Sequence, residues 1–368
     1  MIVKYSYLDK QFKNTDNLWL KLKKFVNTGD FTLGKELSKF EKNFAKLIGC
    51  KYAIGVNSGT DAIKLSLKAL NVGIGDEVIT AANTFVATVG AITEIGAKPV
   101  FVDCNDNFCM DVSKVESKIT KKTKALLPVH YTGYMTDMIE LLKISKKHNV
   151  PIVEDACQSI LASINKKNSG TWGEMGAFSL HPLKNINVWS DGGIITTSNK
   201  VHYKKLLLLR NHGLVDRDRM IINGYNSRLD TFQAVVGNWI LPKAKNIAKK
   251  RILNAKYLDN EFSKIKQLKI PKRIKNYKIV YHLYIIFAEN RDELLKYCLK
   301  KGIEAKVHYP IPVYKQKAMS YLNLNKKNFP VTNSHLKKII TFPCDQHKTR
   351  KELNYIIKTV KSFYSLHV

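Results

Sequence analysis

At 368 residues, 45% hydrophobic and 25% charged, the chain can bury a sizeable core and is expected to divide into one large domain and a smaller one. Its net charge of +31 invites a polyanionic partner, but no helix-turn-helix, zinc-finger or aromatic RNA-binding pattern accompanies the lysines, so nucleic acid is not expected. No apolar run nears the roughly 18 residues of a membrane span, the N-terminus MIVKYSYLDKQFKN lacks the apolar block of a secretory signal, and the six cysteines show no zinc spacing, which together predict a cytoplasmic protein with no membrane contact, disulfide framework or metal.

In chain order, KELSKFEKNFAKLIG carries Leu37, Phe40, Phe44 and Leu47 at helical spacing and stops at Gly49. KYAIGV then reads as a buried strand, followed by Asn57-Ser58-Gly59-Thr60-Asp61 and the helical DAIKLSLKAL. A helix start bearing hydroxyls and glycine after a strand is either an ordinary N-cap or an anion cradle, because free backbone N–H groups and the helix dipole converge there. The alternation continues: GDEVITA as strand, TFVATVGAITEIG as helix, KPVFVD as strand, a helical stretch near 111 to 119, KTKALLPVHY as strand, MIELLKISKKHN as helix and VPIVEDA as strand. Strands that are apolar throughout and alternate with helices predict a mostly parallel sheet covered on both faces, with ligands at the carboxyl ends of the strands. Ser58 to Thr60, Asn83 to Phe85, His130-Tyr131, and Glu154-Asp155 with Gln158 all fall at such ends.

AFSLHPLKNINVWSDGGIITT puts Lys184 in a loop between two apolar runs beside the pair Gly192-Gly193. A lysine desolvated in this way can lose its proton and act as a nucleophile. KVHYKKLLLLRNHGL and DTFQAVVGNWIL follow as helices, and Pro242 opens a basic helical segment within residues 241 to 280, read as a solvated face. YHLYIIFA as strand, RDELLKYCLKKG as helix, EAKVHYP as strand and a last helix near 350 to 364 form the smaller unit. The expected division is therefore a cofactor-binding large domain at 1–240 and a C-terminal α+β domain at 241–368.

If Lys184 forms an imine with an aldehyde cofactor, the carbanion generated beside it needs an electron sink, which pyridoxal 5'-phosphate provides when a carboxylate holds its ring nitrogen protonated. Asp155, ending an apolar strand, can supply that carboxylate. Gly59, Thr60 and Ser179 can supply donors to the phosphate, and Phe85 an apolar cover for the ring. GxGxxG after a strand, GxxxxGK[ST] and HExxH are absent, which argues against the common alternatives for an α/β enzyme.

The segments FTLGKELSKFEKNFA, GVNSGTDAIKLSLKAL, GDEVITAANTFVAT, PVHYTGYMTDM, VEDACQSI, SLHPLKN with DGG, LRNHG, GYNSRLDTFQAVVG and VHYPIPVY resemble, in order and spacing, the DegT/DnrJ/EryC1/StrS family of sugar aminotransferases, of the aspartate aminotransferase fold type. The resemblance implies that Lys184 binds the cofactor and then shuttles the substrate proton, that Asp155 pairs with the pyridine nitrogen, and that Gln158 contacts the ring hydroxyl. It further implies phosphate binding by Gly59, Thr60 and Ser179, with Asn226 reaching in from the neighbouring subunit of a homodimer, and stacking by Phe85. His181, His308 and Tyr309 would lie near a nucleotide-linked sugar, and Arg228 near its diphosphate. The implied reaction moves an amino group from L-glutamate to a keto-sugar on dTDP or UDP. The spacing of KN, INVW and SDGG resembles the branch acting on 3-keto sugars, whereas His181 matches the histidine of many 4-keto enzymes. A PLP-dependent dehydratase is the rival within the fold, but such relatives carry histidine in place of the lysine; a non-catalytic anion-binding regulator is the rival outside it.

Overall fold

The computed structural model describes residues 1–366. Seven strands build the main sheet: β1 (Tyr52–Val56), β2 (Glu77–Ala81), β3 (Lys98–Val102), β4 (Thr123–Leu127), β5 (Val153–Asp155), β6 (Met175–Ser179) and β7 (Gly193–Thr197). Their order is β3-β2-β4-β5-β6-β7-β1, the β4–β5 join being made by the isolated parallel bridges Leu126–Ile152 and Val129–Asp155. All neighbours run parallel except β7, which is antiparallel to both β6 and β1.

Burial on both faces follows from strand periodicity. Ala53, Ile79, Leu126 and Ile194 point into one apolar cluster, while their neighbours Ile54, Val78, Leu127 and Ile195 point into another. The helices around the sheet are α1 (Asp16–Val26), α2 (Lys35–Ile48), α3 (Gly59–Ala69), α4 (Val86–Glu94), α5 (Met138–His148), α6 (Lys200–Leu209) and α7 (Thr231–Ile240). Helix α2 ends where Gly49 turns left-handed at φ 92°. Arg210, in the LRNHG segment after α6, is buried against Glu41 of α2 and donates to the Gly55 carbonyl at 3.0 Å, while Glu41 accepts the Gly55 N–H at 2.8 Å. The two side chains thereby fasten α2 and α6 to β1.

After α8 (Ala244–Phe262) come β8 (Leu268–Lys269), β9 (Tyr284–Ala288), α9 (Arg291–Lys300), α10 (Pro330–Lys338), β10 (Ile339–Phe342) and α11 (Arg350–Leu366). Strands β8, β9 and β10 form a three-stranded antiparallel sheet. The architecture is α/β with a mostly parallel sheet plus a smaller α+β part. On α8, Lys245, Lys249, Lys250 and Lys256 are exposed, whereas Arg251 is buried and donates to Gln346 and to the Tyr281 carbonyl. The N-terminal segment lies against this C-terminal part: Val3 bridges Ile303, and Tyr7 bonds to Asp345 and Glu352.

Two sequence expectations change in detail. The helix expected near 111 to 119 is a pair of three-residue 3-10 turns, Val112–Lys114 and Glu116–Lys118, since serine and β-branched valine weaken a longer helix and Asp111 caps the first turn through Ser113. EAKVHYP runs extended but pairs with β10 through a single bridge, Lys306–Thr341. No described helix is long and apolar enough to cross a membrane.

Candidate active site

The carboxyl ends of the parallel strands open on a cavity of about 300 Å³, within the range of small-ligand pockets. Lys184 borders it from the loop between β6 and β7, its N–H held by the His181 carbonyl at 2.8 Å. Burial pushes the Lys184 amine below its usual basicity, against the opposing pull of Cys157 and Asp155. The side chain still keeps some accessible surface, because it faces the cavity rather than the core.

Asp155 ends β5, and strand alternation separates it from its neighbour. Glu154 turns away to accept the N–H groups of Gly170, Trp172 and Gly173 at 2.8, 2.6 and 2.9 Å and to pair with buried His130 at 2.9 Å. Asp155 turns to the cavity, where its Oδ2 accepts the Thr88 hydroxyl at 2.7 Å and its Oδ1 the Cys157 N–H at 3.2 Å. Thr88 is in turn 2.7 Å from the Thr84 hydroxyl, and both threonines are buried.

Helix α3 begins on the same cavity, with Gly59 beside Cys157. Ser58 caps it by accepting the Asp61 N–H at 3.0 Å, and Gly59 and Thr60 of the first turn face the cavity, where helix N–H groups have no intrahelical partner. A Cβ on Gly59 would stand 2.6 Å from Ser179 Cβ, and one on Gly193 would stand 2.1 Å from the Ser58 carbonyl oxygen. The SGT turn and the DGG turn are thus pressed together, which only glycine permits. Phe85, 46% exposed, and Tyr309 stand with ring centroids 5.4 Å apart on the cavity wall.

Gly59, Thr60, Phe85, Asp155, Gln158, Ser179, His181, Lys184, His308 and Tyr309 therefore share one cavity. Asn226 and Arg228 do not: they line a separate pocket with Phe31, Asn57 and Asp230, where Arg228 donates to Asn211 at 3.3 Å. Tyr5, Thr88, Cys157, His282 and Lys306 border the site without having been singled out in the sequence. Burial holds His308 at about 4 and keeps His282 well below its usual value, so both imidazoles are neutral near pH 7. Trp189, in the INVW segment, does not border the cavity; it packs on Phe12, Trp19 and Phe232. Among the described residues no cluster of His, Cys, Asp or Glu could hold a metal.

The donor set fits pyridoxal phosphate: a helix start for an anion, a carboxylate for a ring nitrogen and a lysine of lowered basicity share the cavity with the buried, unpartnered His282 Nδ1. Fold and site together define a pyridoxal phosphate-dependent aminotransferase. The sequence model of the DegT/DnrJ/EryC1/StrS aminotransferase family matches residues 14–361. The chain is 34% identical over 348 residues to the pleiotropic regulatory protein of Geobacillus stearothermophilus, covering 93% of each. It is also 34% identical over 344 residues to the dTDP-3-amino-3,6-dideoxy-alpha-D-galactopyranose transaminase of Aneurinibacillus thermoaerophilus, covering 93% of this chain and 94% of the relative. Its structure superposes on that of S. venezuelae DesV with a TM-score of 0.96 at 31% identity, covering 98% of both chains. The chain belongs to the DegT/DnrJ/EryC1/StrS aminotransferase family, and solved structures similar to it include forms carrying pyridoxal or pyridoxamine phosphate.

Proposed function

We propose that the protein moves an amino group from L-glutamate to a keto-sugar attached to dTDP or UDP, with the ketone at C3, in the cytoplasm. The observation that carries this reading is the convergence of Lys184, Asp155, Gly59, Thr60 and Ser179 on one cavity. When bound, pyridoxal phosphate supplies an electron-accepting ring that makes a C–H bond beside its nitrogen acidic. Lys184 would hold the cofactor and, once displaced from it, carry the proton between donor carbon, cofactor and sugar carbon; its lowered basicity favours the neutral amine this requires. Asp155 would keep the ring nitrogen protonated, and its bonds from Thr88 and Cys157 suit an ionised carboxylate. The N–H groups of Gly59 and Thr60 and the Ser179 hydroxyl would bind the phosphate, and Phe85 would cover the ring. Gln158 spends its oxygen on the Thr132 N–H at 2.8 Å and one amide N–H on the Tyr309 hydroxyl, and its other amide N–H would donate to the ring hydroxyl. His181, His308 and Tyr309 would face the sugar, with His308 offering a neutral ring rather than a charge.

The name of the A. thermoaerophilus relative and the KN-to-SDGG spacing support C3; His181 favours C4 as the second reading. A homodimer sharing its sites accounts for Asn226 and Arg228, which would serve the partner's cavity from their separate pocket. We place the division between the cofactor-holding and C-terminal parts near residue 240. The test is 2-oxoglutarate release from L-glutamate with 3-keto and 4-keto sugar nucleotides, the aminated carbon being identified by NMR. Failure with every such sugar would count against the reading, and a protein that takes up no cofactor would favour the regulator instead.

A further inference from the structure

The cavity must admit two different molecules in turn, and both carry oxyanions: carboxylates on the amino acid, phosphates on the sugar nucleotide. Arg228, the sequence's candidate for an anion, lines another pocket of its own chain and would reach a cavity only across the proposed dimer. Lys184 is committed to the cofactor, and His282 and His308 are held neutral. One further ammonium borders the cavity, that of Lys306.

Its backbone is pinned. Lys306 and Thr341 of β10 exchange both main-chain hydrogen bonds, at 3.0 and 2.8 Å, and His308 Nδ1 lies 2.9 Å from the Thr341 hydroxyl. Residues two apart on extended chain share a face, so Lys306 projects to the side of His308, where both border the cavity. From the other flank the N-terminal segment is stitched alongside by Val3 N–H to the Gly302 carbonyl at 2.8 Å and Glu304 N–H to the Val3 carbonyl at 3.0 Å. This brings the Tyr5 ring under the Lys306 ammonium, 4.5 Å from its centroid. An aromatic face steers an ammonium without neutralising it. Among the described residues no carboxylate forms a salt bridge with Lys306, which leaves its charge for a ligand.

We infer that Lys306, steered by Tyr5, is a side chain with which this cavity recognises a substrate oxyanion, a carboxylate of the amino donor or a phosphate of the sugar nucleotide. The assignment rests on the two-substrate reading above. It makes Lys306 a specificity residue, which need not touch the reacting atoms.

The test uses cofactor-loaded wild type, Lys306→Met and Lys306→Arg, following cofactor absorbance in each half-reaction separately: L-glutamate alone, then the keto-sugar nucleotide alone. Lys306→Met is expected to raise the half-saturating concentration of one substrate about tenfold or more, with the limiting rate changed less than about threefold and Lys306→Arg recovering most of the loss. A rise in the glutamate arm assigns the carboxylate, and a rise in the sugar arm assigns the phosphate. Half-saturation within about twofold of wild type in both arms, with wild type active, overturns the assignment and leaves the functional reading standing. A wild type inert in both arms removes the reading and the assignment with it.

Discussion

Replacing Thr88 with valine keeps the shape of the side chain and removes one hydroxyl, so it isolates the bond to Asp155. An ionised carboxylate can only accept, so Thr88 donates to Oδ2 at 2.7 Å and in consequence accepts from Thr84, also at 2.7 Å. Thr88→Val loses a buried hydrogen bond to a charged group, about 1.5–3 kcal/mol, and leaves the Thr84 hydroxyl unpaired at about 1 kcal/mol more. Thr84→Val loses only a neutral bond and should cost about 1 kcal/mol. The assay is urea unfolding of the cofactor-free protein, read as a shift of midpoint at constant slope. In an Asp155→Asn background the cost of Thr88→Val should shrink by at least about 1 kcal/mol, because the two groups are coupled. A Thr88→Val cost under about 0.5 kcal/mol, or one that is the same with Asn at 155, would refute a charged, directional relay onto the carboxylate.

Lys184→Ala should abolish both half-reactions while leaving the urea midpoint of the cofactor-free protein equal or higher, since it removes an amine whose charged form is disfavoured by burial; retained turnover would contradict the proposed role. Gly193→Ala drives a Cβ to 2.1 Å from the Ser58 carbonyl in a strand paired on both edges, so a loss of about 3 kcal/mol in unfolding free energy is expected, against a milder effect for Gly192→Ala, whose nearest contact at 2.8 Å is the movable Val188 side chain. Acid should also weaken the cofactor-free fold. The unfolded chain protonates its histidines below about pH 6.5, whereas folded His308 resists to about 4 and folded His282 also titrates lower, so stability falls on going from pH 6.5 towards 4, by up to about 1.4 kcal/mol per pH unit for each group. Midpoints measured across that interval should show the slope, and His308→Gln should remove its share and leave that of His282; a level profile in the wild type would be evidence against neutral buried imidazoles.

What could be read without coordinates depended on how far apart in the chain the partners lie. Lys184, Asp155 and Gly59 each follow or end an apolar strand, and a parallel sheet gathers strand ends whatever the details of packing, so their convergence was visible in the pattern. Thr88 was not visible, because it sits in an apolar helix and acquires meaning only when β5 brings a carboxylate beside it. Tyr5 and Lys306 escaped for a different reason: Tyr5 N–H finds its partner Glu304 at a sequence distance of 299, and no local rule links the two. Arg228 and Asn226 line a separate pocket of their own chain, so the cavity they serve is set by a second copy, which no sequence pattern positions. The INVW segment entered the sequence reading only through its spacing, and its tryptophan serves an aromatic surface cluster rather than the cavity.

The stitching of Val3 to Ile303 has a consequence in time as well as in space. A ribosome adding 5–20 residues per second needs roughly 15 to 60 s to reach the partner of the first paired residue. During that interval β1 to β7 can assemble, and the helix start at Gly59 can meet the turn at Gly193, while the wall carrying Tyr5, Lys306 and His308 does not yet exist. Until the segment around Ile303 has been made and has folded onto the N-terminal segment, Lys184 stands on an open shelf, and enclosure of the site waits on that pairing.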